Sequence, residues 1–403
     1  MSNSSPTNQS VAWQAHALLA VIAGLLILLL NMGVRQSMGL LLPDMQISFG
    51  WPMAELSFAF AVQNLVWGAV SPLAGVAAER YGTVRVLLVG TLLYAVGLAL
   101  LALSESAWLY QFSNGFLIGV GVGATTFPVV LAAVGRHVGE PQRSFALGIV
   151  SAGGSLGQFL FALLTQWANS RFGWIEAVWI LAACVLLMAL FSPWLKTAVL
   201  PPKPRSETRE RVHFDRRFVL LAMGFFVCGY HVAFISVHLP NLVAVCGLTP
   251  DVAANSLALI GLINVAGTVF AGWLGGRYHK PYLLSWIYGL RGAIVLAFIW
   301  LPKTAESFYF FSVVMGVLWL STVPLTSGTL AQFFGTARLA SLFGLVMFSH
   351  QIGAFFGAWV SGWLFDQTGN YDAVWLISAM LGFLAAAVHL PIKPERPAQA
   401  ALA

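Results

Sequence analysis

The stretch Leu28-Leu29-Leu30-Asn31-Met32-Gly33-Val34-Arg35-Gln36-Ser37-Met38-Gly39-Leu40-Leu41-Leu42-Pro43 carries two conflicting signals. It belongs to an apolar run beginning near Ala17, long enough to cross a bilayer core of about 30 Å. An arginine nevertheless stands several residues inside its far end. A charged side chain at the bilayer centre costs about 3 kcal/mol even on insertion scales, so such residues usually face a polar cavity or a partner. Arg35 is therefore either a working cation within the membrane or a side chain that snorkels to the surface or pairs with Asp44. Asn31, Gln36 and Ser37 place further polar groups on the same helix and favour the first reading.

The composition of the 403 residues extends this reading to the whole chain. Charged residues make up only 8%, hydrophobic residues 59%, and the mean hydropathy is +0.83. A soluble domain carries about 25% charge, so the chain is expected to be an integral membrane protein. The first ten residues are polar and run directly into a full-length span, with no short signal peptide in view. Cys184, Cys228 and Cys246 lie in or at the ends of apolar segments, without metal-ligand spacing, and are expected to serve in packing.

Apolar runs between short polar breaks predict twelve helical spans, at about 17–42, 53–78, 84–103, 108–134, 142–168, 174–194, 217–240, 252–275, 282–301, 307–333, 339–365 and 372–391. The one long break is rich in proline and in charges of both signs. It divides an expected N-terminal six-helix bundle (1–195) from a C-terminal one (217–403), with a linker at 196–216. Lys and Arg set the orientation. One set of breaks, including those with Arg80, Arg85, Arg136, Arg143, Arg277 and Lys280 and the linker, holds all but four of the 20 basic residues. The opposite set holds Arg171 and Lys303, and Arg35 and Arg291 lie within spans. The basic set is expected to be cytoplasmic, with both termini inside. The net charge of +6 is accounted for by topology, and no nucleic-acid partner is implied.

The halves repeat each other. Shifted by 196 positions, Gly148, Gly157, Gly173, Val178 and Trp179 fall on Gly344, Gly353, Gly369, Val374 and Trp375. The same shift carries Thr125-Thr126-Phe127-Pro128 onto Ser321-Thr322-Val323-Pro324. An even number of spans separates equivalent positions, so the repeat is parallel, and such repeats place a substrate site near mid-membrane between the halves. The fold class expected is therefore an all-α integral membrane protein of twelve transmembrane helices in two parallel-repeat six-helix bundles.

This arrangement resembles the major facilitator superfamily of secondary transporters. Gly75-Val-Ala-Ala-Glu79-Arg80-Tyr-Gly82-Thr-Val-Arg85 resembles the superfamily's signature loop, with glutamate where aspartate is usual. In the counterpart Gly272-Trp-Leu-Gly-Gly276-Arg277 the acid is lost at Gly276. The resemblance implies a gating role for Gly75, Glu79, Arg80, Gly82 and Arg85. A tight turn with topology-setting charges accounts for the arginines but less well for the spacing. Gly33-Val-Arg35-Gln-Ser37, Gly50-Trp51, Arg143-Ser-Phe-Ala-Leu-Gly148 and Cys228-Gly-Tyr-His231-Val-Ala-Phe-Ile-Ser-Val-His238-Leu-Pro240 resemble bacterial relatives of the monocarboxylate transporters. Animal members carry an Asp and an Arg in span 8 where this chain has Asn264 and Thr268, so lactate-like specificity does not carry over. The family's span 1 lysine falls at or beside Gln36, and Arg35 can supply the cation instead.

No Asp or Glu lies deep within a span, whereas two arginines do. A guanidinium can grip a carboxylate through two parallel hydrogen bonds, so an uncompensated one favours an anionic solute. Arg35 is the main candidate; Arg291 is either a second contact or a structural residue paired with neighbouring polar groups. Thr125, Thr126, Ser321 and Thr322 precede prolines that free the carbonyls of Ala124 and Leu320 in spans 4 and 10. Such paired breaks suit a central cavity and make Thr125, Thr126 and Thr322 candidate substrate contacts; a simple packing kink is the alternative. His231, with His238 on the same face, and His350 can change protonation near neutral pH; His231 and His350 are candidates both for substrate contact and for proton coupling. A satisfied hydrogen-bonding role is the alternative. Asn31, Gln63, Asn64, Gln158 and Asn264 are further candidate polar contacts, although amides also join helices in membranes. Gly115, Gly119 and Gly123 are expected to permit close helix packing.

No nucleotide-binding loop, HExxH motif or metal-spaced cluster is present, so neither catalysis, a cofactor nor a metal is expected. The expected function is secondary transport of a small organic anion, a monocarboxylate, by a monomer in the bacterial inner membrane. The lipid bilayer is its surroundings, and proton symport is implied by resemblance alone. Drug or cation efflux would predict a membrane-embedded acid and a Gly-Pro signature in span 5, which reads Ala152-Gly153-Gly154-Ser155-Leu156-Gly157-Gln158. A receptor on the same scaffold would call for an appended signalling domain. A neutral solute fits if both arginines are structural.

Overall fold

The structure, a computed structural model, describes residues 15–197, 215–335 and 339–393. Most of the linker expected at 196–216 thus lies outside the described residues. Among the described residues twelve helices are long and apolar enough to cross a membrane. They are span 1 (Ala15–Phe49), span 2 (Met53–Tyr81), span 3 (Thr83–Ala102), span 4 (Ala107–His137), span 5 (Phe145–Phe172) and span 6 (Trp174–Leu195). The second set is span 7 (Arg216–Val245), span 8 (Pro250–Gly275), span 9 (Lys280–Trp300), span 10 (Ala305–Phe334), span 11 (Leu342–Thr368) and span 12 (Asp372–His389).

Span 1 runs past the expected end at 42. Its α-helix Ala15–Ser37 passes through a 3-10 turn, Met38–Leu41, into a second helix, Leu42–Phe49. Pro43 does not stop it because it sits in the first turn of that second helix, where its missing N–H has no intrahelical partner to lose. Span 4 contains a π-helical segment, Gln111–Leu117, and is interrupted at Thr126, whose backbone is extended at φ −95° and ψ −170°. Span 10 is likewise interrupted between helices Ala305–Leu318 and Thr322–Phe334. The paired breaks expected from the repeated proline motif are thus present in both bundles. A single residue, Gly82, joins span 2 to span 3 at φ +92°, a conformation that side-chain-bearing residues rarely adopt.

Within the N-terminal bundle, spans 2 and 4 meet glycine against valine. A β-carbon at Gly115, Gly119 or Gly123 would stand 3.2, 2.9 or 3.0 Å from the side chains of Val62, Val66 and Val70. In the repeated pair Gly157 and Gly353, the backbones of spans 5 and 11 lie against Leu29 of span 1 and Phe226 of span 7.

The bundles meet along spans 2 and 11 and along spans 5 and 8, and the contact is uneven along the membrane normal. On the face opposite the arginine-rich breaks, Phe58 packs edge-on against Phe355 and Trp359 at 5.9 and 5.7 Å. Gly362 lies against Ser57 and Met53, and Gly39 against Ser236. Near the arginine-rich face the repeat-related glycines Gly75, Gly272, Gly148 and Gly344 have nothing among the described residues within 4 Å of a β-carbon position. Among the described residues the bundles touch on one face and are parted on the basic face. On that parted side the seam of spans 1, 5 and 8 borders an open groove of about 800 Å³ lined by apolar side chains, among them Leu25, Leu156, Val265 and Trp273.

Candidate substrate site and gating loop

Arg35 stands within span 1 and is only partly buried. Its NH2 group donates to Oδ1 of Asn64 in span 2, and its guanidinium lies 4.7 Å from the ring centroid of Trp67. Asn64 and Trp67 are three residues apart on a helix and so share a face. Nδ2 of Asn64 donates to the carbonyl of Phe60 at 2.8 Å, which turns Oδ1 toward the arginine. Arg35 Nε has no partner among the described residues, and no carboxylate there forms an ion pair with the side chain. Pairing with Asp44 does not occur. That carboxylate accepts instead from Asn169 of span 5 at 2.5 Å.

One turn below Arg35, Asn31 donates to Oγ1 of Thr125, immediately before the break in span 4. Thr125 in turn donates to the carbonyl of Gly121 at 2.7 Å, and the hydroxyl of buried Tyr94 donates to the Asn31 carbonyl at 3.4 Å. Arg35, Asn31, Asn64 and Thr125 therefore form one polar cluster among spans 1, 2 and 4, with Trp67 and Tyr94 as added members. Thr126 is buried beside it with its hydroxyl unpartnered among the described residues. Gln63 points elsewhere: its Nε2 donates to the backbone and side-chain oxygens of Asn114 at 3.0 and 3.1 Å and ties span 2 to span 4.

Two other candidates lie in the seam between bundles. Gln158 Nε2 donates to the carbonyl of Leu257 at 3.3 Å, and Asn264 Nδ2 donates to Oγ of Ser155 at 2.7 Å. The remaining candidates belong to the C-terminal bundle. Arg291 is fully buried; Nε donates to the carbonyl of Leu318 at 3.1 Å, NH2 to those of Leu318 and Trp319, and NH1 to Sγ of Cys228 at 3.4 Å. The carbonyls it takes are not the Leu320 carbonyl singled out by the proline rule, because span 10 unwinds before Ser321 and leaves the end of its first helix, Ala305–Leu318, open. Thr322 faces the same Cys228 sulfur at 3.3 Å, and His350 lies beside it. Cys228 thus joins a polar cluster as well as packing.

His231 Nε2 donates to the Ser378 carbonyl at 2.8 Å and leaves Nδ1 unpartnered among the described residues. His238, by contrast, is satisfied at both nitrogens. Nε2 donates to the Ala358 carbonyl at 2.7 Å, and Nδ1 accepts from the Tyr371 hydroxyl at 3.1 Å.

On the basic face, Glu79 pairs with Arg136 of its own bundle at 3.5 Å, and Arg80 stacks on its neighbour Tyr81 at 5.2 Å. Arg85 is exposed, and Gly75 has open space around it. The Gly75–Arg85 loop makes no ion pair with the C-terminal bundle among the described residues. Trp67, Tyr94 and Ser155 are absent from the residues expected from sequence. Only Trp67, one turn from Asn64, carried a positional signal.

The Major Facilitator Superfamily profile matches residues 24–358. Among relatives, monocarboxylate transporter 13 of Bos taurus is 26% identical over 358 residues, covering 86% of this chain and 82% of that protein. Monocarboxylate transporter 11 of Homo sapiens is 26% identical over 397 residues, covering 93% and 82%. The uncharacterized MFS-type transporter YcxA of Bacillus subtilis is 22% identical over 377 residues, covering 88% and 90%. A bacterial homolog of the human lysosomal transporter Spinster, solved in an inward-facing and occupied conformation, superposes with a TM-score of 0.77 at 15% identity, covering 94% of this chain and 97% of that one. With its twelve spans, its parallel repeat and the superfamily profile matching residues 24–358, the chain belongs to the major facilitator superfamily of membrane transporters.

Proposed function

We propose that the chain transports a small organic anion, a monocarboxylate, across a bacterial inner membrane by alternating access of its two bundles. The observation that carries this reading is Arg35. It is a cation inside a span, held by a neutral amide and an indole, with Nε free and no carboxylate partner among the described residues. The guanidinium lies over the Trp67 ring and its buried Nε is unpartnered among the described residues, so donors remain for a second group, and a carboxylate can accept two parallel hydrogen bonds from a guanidinium. Names of relatives that contain "monocarboxylate transporter" point the same way. In this reading the basic face is cytoplasmic and the structure is open toward the cytoplasm.

Proton symport rests on less. His231 and His350 are buried histidines, each with Nδ1 unpartnered among the described residues, and both stand in the C-terminal bundle apart from Arg35.

Thermal stabilisation of purified protein by small carboxylates, amines and sugars tests the substrate class, because a ligand that binds only the folded state raises the melting temperature. A carboxylate is expected to stabilise the native protein and not Arg35→Gln. Stabilisation by amines or sugars alone would leave Arg35 structural and end the anion reading.

A further inference from the structure

The N-terminus of span 2 is capped by a residue 313 positions away in the other bundle. Oδ1 of Asp366, near the end of span 11, accepts the backbone N–H of Met53 at 2.9 Å, and Oδ2 accepts that of Ala54 at 2.7 Å. The first N–H groups of a helix have no intrahelical partner, and the aligned peptide dipoles place partial positive charge there. Span 2 cannot meet this need locally, because its N-cap residue is Pro52 and no side chain of the segment caps it. Asp366 supplies a full negative charge and both oxygens, a charge-assisted pair of bonds.

We infer that Asp366 is a latch that holds the face opposite the basic loops closed. Its two bonds join the bundles directly, and any separation of spans 2 and 11 at this face breaks both. The surrounding seam is built for close approach: a β-carbon at Gly362, one turn before Asp366, would stand 2.9 Å from the Met53 carbonyl. The latch is also reversible. When the face opens, water solvates the freed carboxylate and amides, so the difference between states is that of a helix cap rather than of a charge stranded in hydrocarbon. The repeat-related position at the end of span 5 is Ser170, whose hydroxyl donates to the carbonyl of Trp167 at 3.0 Å, within its own bundle. Among the described residues this cap is thus present in the seam of spans 2 and 11 and not at its repeat-related position. This inference rests on the alternating-access reading but not on the substrate.

The test uses unliganded protein in lipid nanodiscs, with spin labels at Glu105→Cys and Asn370→Cys, exposed sites on the same face in opposite bundles. The three native cysteines are replaced by serine, and distances are measured by double electron–electron resonance. Loss of a helix cap corresponds to an about 2- to 30-fold change in an equilibrium. Asp366→Asn keeps the shape and loses the charge and one acceptor, and Asp366→Ala loses both. Each is expected to raise the ratio of long to short distances by a factor within that range, the alanine variant more. Asp372→Asn removes an acid a few residues away that makes no bond to the other bundle among the described residues, and it is expected to change nothing. Unchanged distances in both Asp366 variants, or equal widening in Asp372→Asn, would overturn the latch. Amide exchange on the unsubstituted protein needs no variant: protection is expected at Met53 and Ala54, and rapid exchange at both would overturn it equally. Neither measurement involves a carboxylate ligand, so the substrate reading can fail while the latch stands.

Discussion

Nδ2 of Asn264 donates to Oγ of Ser155 at 2.7 Å, and the same side chain's Oδ1 accepts the backbone N–H of Leu320 at 2.9 Å. Thr268 adds a third bond, from Oγ1 to Oδ1 at 3.1 Å. One amide therefore joins the two bundles and also satisfies a backbone donor where span 10 is interrupted. These two duties carry different energies. Asn264→Ala strands the Leu320 N–H and is expected to cost about 1–3 kcal/mol. Ser155→Ala removes only a cross-bundle hydrogen bond, a loss of about 0.6 kcal/mol for such bonds in membranes. Unfolding midpoints in detergent compare the two. Equal losses would mean that bridging the bundles, and not the broken helix, is what Asn264 serves.

The distribution of spans was legible because a bilayer demands long apolar segments and leaves few alternatives. The course of span 1 beyond residue 42 was not, since proline stops a helix interior but is tolerated in a first turn, and only the local geometry distinguishes the two. The polar residues were legible as a set for the same reason that they are rare: Arg35, Asn31, Asn64 and Thr125 stand out in apolar runs. Their pairing was not, because it depends on helix rotation and contact. Arg35 paired with Asn64 rather than with Asp44 is a consequence of how spans 1 and 2 face each other. Asp366 was invisible for a different reason. At the end of a span, an acid looks like a solvated charge unless a helix from the other bundle begins beside it.

Arg291 is expected to be structural in its energetics. Its donors go to the carbonyls of Leu318 and Trp319 and to Cys228, so a replacement leaves buried acceptors unpaired. Arg291→Met and Arg291→Lys should each destabilise the protein by about 2–4 kcal/mol, lysine failing because a point charge cannot reproduce the fork. The protein that survives should bind a stabilising carboxylate within about threefold of the native affinity, since this is well below the tenfold that 1.4 kcal/mol of lost contact would give. Melting temperature and ligand titration on the same preparations decide it. Unchanged melting with lost binding would instead place Arg291 at the substrate.

Repeat-related glycines offer a test of where the bundles touch. Gly157 and Gly353 lie against the backbones of Leu29 and Phe226, and an alanine at either forces helices apart. Each substitution is expected to cost about 1–3 kcal/mol by overpacking. Gly148 and Gly344 are helical with open space around them, so alanine there should be neutral or stabilise by up to about 1 kcal/mol through helix propensity. If Gly148→Ala and Gly344→Ala destabilise as much as the other pair, the basic face is closed in the dominant state and the parting seen between the bundles there is not representative.

The arrangement around Arg35 makes its own prediction about affinity. Trp67 and Asn64 both hold the guanidinium, the indole through a cation–π contact and the amide through a hydrogen bond. If they serve to orient a bound anion through Arg35, removing either should weaken a carboxylate without abolishing it. Trp67→Leu loses a cation–π contact of about 0.5–2 kcal/mol, which is a loss of about 2- to 30-fold in affinity. Asn64→Ala loses a charge-assisted hydrogen bond of similar worth, about 1.5–3 kcal/mol at most. Both act through one side chain, so their effects should vanish in an Arg35→Gln background, where the guanidinium they position is gone. A double-mutant cycle on carboxylate affinity reads this coupling directly. Full additivity, with each variant losing the same factor whether or not Arg35 is present, would show that Trp67 and Asn64 meet the ligand independently. In that case the hold of Trp67 and Asn64 on the arginine is not what selects the anion.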